Sequence, residues 1–246
     1  MFNLEKGKVI ARIDGGPLDS KYVFYSKDDT NTSEKELFLE YGNFVPIPNI
    51  EENKNDRVQS VGLTGCGKST FTANYINEML VFEPERDVVI IMPILEDSVF
   101  DDFDPIKIDL DEDEVPEIEQ LSGKIVVFDD IEGIRDKLKL KKVYTLLQNC
   151  LQNGRKLHID ILNCGHVFKD GIKTKYTNNE SNKIVLFPGG NYKQQEDMLK
   201  DYLGLDKETI GRILSSDSRW VMIHKESPMY VLSEYELFLP TKKYKK

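Results

Sequence analysis

"VGLTGCGKST" occupies residues 61–70, and how it is read decides the fold. It fits G-x-x-x-x-G-K-[ST] through Gly62, Gly67, Lys68 and Ser69. The flanks agree with that pattern. "RVQSVG" (57–62) alternates toward an apolar end, as a short strand does, and "STFTANYINEML" (69–80) carries apolar residues at helical spacing, 71, 75, 76, 79 and 80. A strand, a glycine-rich turn and a helix in that order are the setting of a phosphate-binding loop. Its glycines let backbone N–H groups curl around phosphate oxygens, and the helix N-terminus adds its positive end. The expected cradle is Gly62, Leu63, Thr64, Gly65, Cys66, Gly67, Lys68, Ser69 and Thr70. Lys68 can reach the β and γ oxygens of ATP, and Ser69 supplies a hydroxyl for Mg2+. The competing reading is an ordinary glycine-rich turn before a helix.

The chain has 246 residues, enough for one large α/β domain or a core with a small appendage. No apolar run approaches the 18 residues of a membrane span, and "MFNLEKGKVI" does not read as a signal peptide. Three cysteines (Cys66, Cys150, Cys164) suggest a reducing compartment without a disulfide framework. His158, Cys164 and His166 are close in sequence but fit no common zinc spacing. A net charge of −10 argues against a protein that coats nucleic acid with its whole surface, though not against a local basic patch. Acid is concentrated in "DDFDPIKIDLDEDEVPEIEQ" (101–120). Basic residues cluster in "RDKLKLKK" (135–142) and "TKKYKK" (241–246), which read as solvated faces or as DNA contacts.

Three parts follow from the rhythm of the chain. Residues 1–55 read as β-rich, with "KVIARI", "KYVFYS" and "ELFLEY" separated by turn formers. Residues 56–190 alternate strand and helix, the pattern of a mostly parallel central sheet flanked by helices. Strands are expected at 57–62, 87–93, 124–130, 158–164 and 183–189, and helices at 68–81, 138–153 and 193–203. The middle helix closes at "NG" (153–154). Residues 191–246 read as a C-terminal helix and a β-hairpin, turning at Ser227-Pro228 and packed on the core.

The second half of the site is "KIVVFDDIEG" (124–133), a buried strand ending in two aspartates at the sheet edge where ligands bind. Asp129 is the expected Walker-B metal ligand beside Ser69, and Asp130 is placed to orient the attacking water. The next strand ends "ILNCGH" (161–166), where Asn163 and His166 compete to sense the γ-phosphate. A polar loop residue satisfied by its surroundings is the plain alternative for either.

Together "GLTGCGKST", "IVVFDDIEG", "LLQNCLQNGRKLHIDILNCGH" and "NKIVLFPGG" resemble, in order, the genome-packaging ATPases of nucleocytoplasmic large DNA viruses and their relatives. Those are a branch of the FtsK/HerA class of P-loop DNA motors, and the resemblance covers roughly residues 57–225. Gly154 and Arg155 match the family's Gly-Arg-His, with Lys156 in place of the histidine, and His166 stands at the sensor position. The resemblance implies an ATPase using ATP and Mg2+ and working as a pentameric or hexameric ring. Its partners would be double-stranded DNA and capsid or packaging-vertex proteins. Its location would be the host cytoplasm, at viral factories, and the virion. It also makes Arg155 a candidate finger for a neighbouring subunit's site, with Lys173 and Lys175 behind it. Two other readings stay open, a P-loop nucleotide or polynucleotide kinase and a nucleotide-dependent assembly scaffold. The paired aspartates and the arginine-free "TKYTNNESNK" weigh against the kinase.

Overall fold

The parallel rhythm read from residue 57 onward is present. The computed structural model describes residues 1–27, 34–51, 54–93, 98–110, 112–168 and 171–241, the side chains of 171–173 aside. It divides into one unit of residues 49–184 and another made of 1–48 with 185–246.

The N-terminal residues supply β1 (Phe2–Asn3), β2 (Lys8–Asp14), β3 (Tyr22–Tyr25), β4 (Glu36–Phe38) and β5 (Asn43–Pro46). Four of these form an antiparallel sheet in the order β1-β3-β2-β5. The turn at Gly42 has no room for a side chain. Its φ is +82°, and a Cβ there would lie 2.4 Å from the Gly15 carbonyl oxygen.

The 49–184 unit is built on β6 (Arg57–Val61), β7 (Val88–Met92), β8 (Ile106–Asp109), β9 (Ile125–Asp129) and β10 (Asp160–Gly165). They pair in parallel in the order β6-β10-β9-β7-β8. Every residue of β7, β9 and β10 is buried; β7 and β9 up to Phe128 read as continuous apolar runs for that reason, while β10 buries Asp160 and Asn163 among its apolar residues. The crossovers include α1 (Lys68–Phe82), α2 (Lys137–Asn153) and α3 (Gly171–Glu180). On α2, Val143, Leu146, Leu147, Cys150 and Leu151 form the buried stripe, and Asp136 caps the helix by accepting from the Leu138 and Lys139 N–H groups at 2.7 and 3.0 Å. β11 (Lys183–Leu186) begins where this unit ends, and the Asn182 N–H donates to the Arg57 carbonyl at 2.9 Å.

Several expectations need correction. The acidic stretch 101–120, read as mere charge, contains the edge strand β8. The strand expected from 158 starts at Asp160, because His158 takes a left-handed turn (φ 54°). Gly154 stays right-handed, and α2 runs on into a 3-10 turn over Gly154–Leu157. Packing explains that glycine: a Cβ at 154 would be 3.2 Å from Ile161 Cδ1 and 3.4 Å from Ile159 Cβ. The segment around 174–180 is helix α3, tied by Asn178, whose side-chain amide donates to the Phe168 carbonyl at 3.0 Å.

A buried ionic group lies at the N-terminal edge of this sheet. Lys183 Nζ is 2.7 Å from Asp56 Oδ1, contacts the Tyr75 hydroxyl and is 5.1 Å from the Tyr75 ring centre. The Tyr75 hydroxyl in turn donates to Asp56 Oδ2 at 2.6 Å. Burial alone would raise the Asp56 pKa, but the Lys183 charge and these hydrogen bonds outweigh it and the net shift is downward. Asp160, which accepts from the Asp56 N–H and pairs with Arg86, is pushed up to about 6 by burial and by the charge of Asp56.

The remaining elements are α4 (Tyr192–Leu203), α5 (Lys207–Leu214), β12 (Val221–His224), β13 (Tyr230–Ser233) and β14 (Glu236–Phe238). β12 and β13 form the expected hairpin, with His224 opposite Tyr230. "ELFLEY" does not join the N-terminal sheet: β4 pairs with β14. Arg212 clamps the pair, donating to Glu36 at 2.8 Å and to Glu236 at 3.2 Å, with its guanidinium 4.0 Å from the Phe238 ring centre. Residues 1–48 and 185–246 belong to one unit.

Candidate active site

The loop between β6 and α1 lies at the C-terminal edge of the parallel sheet. Gly65 and Gly67 have φ of +75° and +103°, backbone that side-chain-bearing residues adopt only under strain. Gly67 is the N-cap of α1 and no side chain caps the helix, so its first-turn N–H groups are available to an anion. The Gly62 N–H donates to the Gly165 carbonyl at 3.3 Å, which fixes the start of the loop against the tip of β10. Leu63, Thr64, Gly65 and Thr70 are exposed, while Cys66 is half-buried and burial raises its thiol pKa.

Lys68 is buried, 6% exposed. Its ammonium donates to the Gly62 and Leu63 carbonyls and faces His166 Nδ1, each at 3.3 Å. A lysine ammonium can only donate, so Nδ1 of His166 accepts and its hydrogen sits on Nε2. That Nε2 is 2.6 Å from Asp130 Oδ1. On the other side of the loop, the Ser69 hydroxyl donates to Asp129 Oδ2 at 3.0 Å. A hydroxyl and a carboxylate are the hard oxygen donors that suit Mg2+, which takes its other ligands from water and phosphate. Ser69 and Asp129 therefore fit the metal.

Strand parity separates Asn163 from this group. Cys164, one residue on, faces α1, with its sulfur 3.1 Å from the Thr72 hydroxyl, and burial pushes its thiol pKa well up. Asn163 faces the other way and donates to Gln59 Oε1 at 2.7 Å within the sheet. Of the two sensor candidates, His166 is the one beside Lys68. Arg155 is exposed in the 3-10 turn before β10, whereas the loop sits at the strand's far end. The two are roughly 15–20 Å apart along the strand direction, and Arg155 does not join the site within its own chain. Lys175 is exposed on α3; the side chain of Lys173 lies outside the described residues, as do residues 242–246 of the C-terminal basic cluster.

Two residues near the site were missed from sequence. Gln59 is the buried partner of Asn163. Glu132 follows Asp130, which is itself left-handed (φ 48°) and leads into a 3-10 turn over Ile131–Gly133. That turn carries Glu132 Oε1 to within 3.1 Å of where a Cβ on Gly165 would stand. Its signal was the acid two places after the aspartate pair, in "DDIEG".

The tertiary arrangement has known counterparts. The genome-packaging NTPase B204 of Sulfolobus turreted icosahedral virus 2 in complex with AMP superposes with a TM-score of 0.54 at 12% identity. The match covers 73% of this chain and 96% of that one. The chain has the fold of that packaging NTPase. B204 described as the DNA-packaging ATPase of Sulfolobus turreted icosahedral virus agrees, with a TM-score of 0.52 at 12% identity over 74% of this chain and 98% of that one. In sequence, uncharacterized protein V3 of Sputnik virophage is 29% identical over 237 residues, 94% of this chain and 96% of its own. No protein-family model matches the chain. Among the described residues no helix is long and apolar enough to cross a membrane.

Proposed function

We propose that this chain is an Mg2+-dependent ATPase that moves double-stranded viral DNA into a preformed capsid, acting as a homo-oligomeric ring. The observation that carries the reading is the convergence of Lys68, Ser69, Asp129, Asp130 and His166 at one sheet edge, on the fold of a packaging NTPase. Lys68 neutralises β and γ oxygens, Ser69 and Asp129 hold the metal, and the Asp130–His166 pair faces the γ-phosphate. Hydrolysis by this route needs positioning and charge more than a strong base, which a pair of acids beside a lysine supplies.

For DNA, the segment Arg135–Lys142 directly after the Walker-B turn is the contact we favour. Arg135 and Lys137 are exposed, and Lys142 is 3.5 Å from Glu114. A few phosphate contacts on an otherwise acidic surface allow grip without stalling. ATP turnover should rise with long double-stranded DNA whatever its sequence, because phosphate contacts carry no base information. Reversing Arg135, Lys137 and Lys139 to Glu should remove most of that stimulation and lower the log–log salt slope of DNA binding by about 3. A parent chain indifferent to DNA would sink the motor reading, and phosphate appearing on a nucleoside or DNA end would replace it with the kinase.

Arg155 has one place left in this proposal, the site of the next subunit. Its Ala variant should keep ATP binding and ring assembly and lose about 10³-fold in turnover. Rings of that variant working at the parent rate would pass the role to Lys173 or Lys175.

A further inference from the structure

We propose that Glu132, rather than Asp130, is the catalytic carboxylate that holds the attacking water. The proposal rests on the ATPase reading above and assigns a residue within that site.

The first reason is that Asp130 already has a partner. Its Oδ1 lies 2.6 Å from His166 Nε2, and the same ring meets Lys68 through Nδ1 at 3.3 Å. The close ionic pairing gives Asp130 the role of positioning His166. The second reason is where the chain goes next. An aspartate in the left-handed region redirects the backbone, and the Gly133 N–H closes on the Asp130 carbonyl at 2.9 Å. Glu132 is swung back over the tip of β10, at Gly165, immediately before His166. Gly165 is also the residue whose carbonyl accepts from Gly62, the first glycine of the phosphate loop. Glu132 is exposed as a residue, but its carboxyl end reaches into the junction of the two halves of the site.

The packing there is specific. A Cβ at Gly165 would stand 3.1 Å from Glu132 Oε1 and 3.5 Å from Gln59 Nε2, so glycine leaves the space that the carboxyl uses. Gln59 has its own oxygen taken by Asn163, which turns its amide N–H groups toward Gly165. The buried Asn163–Gln59 pair lies on the same side of β10 as this carboxyl. Burial pushes the Glu132 pKa up and the charge of Asp130 adds to this, while His166 and Lys68 pull it down. A carboxylate whose pKa is raised by burial is a stronger proton acceptor.

The step balances without any further reagent. The water oxygen forms a bond to the γ phosphorus as the bond to the β,γ-bridging oxygen breaks, and ADP leaves with that electron pair. One water proton passes to the Glu132 carboxylate and from there to solvent.

The test compares the parent with Glu132→Gln, Gly165→Ala, Asp130→Asn and Lys68→Ala, measuring phosphate release in single turnover, binding of a fluorescent ATP analogue, and melting temperature. Glu132→Gln should bind the analogue as the parent does, melt within about 2 °C of it, and lose about 10²-fold or more in rate. Gly165→Ala keeps the carboxyl but pushes it aside, and should lose about tenfold. Asp130→Asn should lose less than Glu132→Gln, since asparagine keeps the shape of the side chain beside His166. Glu132→Gln hydrolysing within about twofold of the parent overturns the proposal, while an inactive Lys68→Ala beside it leaves the ATPase reading standing. A parent with no turnover at all overturns both. If Glu132→Gln loses its fold, Gly165→Ala decides: at the parent rate, the proposal fails.

Discussion

Lys68→Ala is expected to abolish ATP hydrolysis and to weaken nucleotide binding. The ammonium is held by two loop carbonyls at 3.3 Å and Lys68 is 6% exposed, so it reaches the phosphates with little reorganisation. A preorganised charge of that kind contributes most where negative charge moves toward the leaving oxygen, and its loss should cost about 10³-fold or more in rate. The fold should survive, because the substitution removes only two hydrogen bonds to loop carbonyls and the contact with His166 Nδ1, each contributing about 1 kcal/mol. Phosphate release and analogue binding, read beside a melting curve, separate the two effects. A Lys68→Ala chain that folds and hydrolyses within about tenfold of the parent would mean that the loop is not the catalytic phosphate site.

The second large effect falls on stability, at the opposite edge of the same sheet. Lys183→Met should destabilise the protein by about 3–5 kcal/mol, because it leaves the buried Asp56 carboxylate without its counter-charge. The Tyr75 hydroxyl at 2.6 Å and the Asn49 N–H at 2.9 Å would still bond Asp56, but neither neutralises it. In melting experiments the loss corresponds to a drop on the order of 10 °C for a chain of this size. Replacing both partners, Asp56→Leu with Lys183→Met, should recover much of it, since a buried pair adds little over apolar residues of similar volume. A single variant that melts within about 2 °C of the parent would show that Asp56 is not ionised in the folded state.

Much of the 49–184 unit was legible from residue order alone. β7 and β9 up to Phe128 are buried and appear as unbroken apolar runs, β10 is buried but carries Asp160 and Asn163, and α1 and α2 show their buried faces at helical spacing. The phosphate loop was legible for a stronger reason. Left-handed backbone at Gly65 and Gly67 restricts those positions to glycine, so local conformation leaves a direct mark on composition.

What the residue order left open are relations between residues that are not neighbours in sequence. Three-residue β4 has no periodicity of its own, and only pairing with β14, some two hundred positions away, makes it a strand. Asn163 and His166 were equal candidates until strand parity turned one toward Gln59 and the end of the strand freed the other to meet Lys68 and Asp130. Arg155 matched a motif, yet it lies at the wrong end of β10 for its own nucleotide. Glu132 had no motif at all and is placed by a left-handed aspartate and a missing Cβ at Gly165. Backbone preference and burial are properties of short segments, and a single chain records them. The distance from Glu132 to Gly165, or from Lys68 to His166, depends on how strands far apart in sequence align, which only the packed sheet determines.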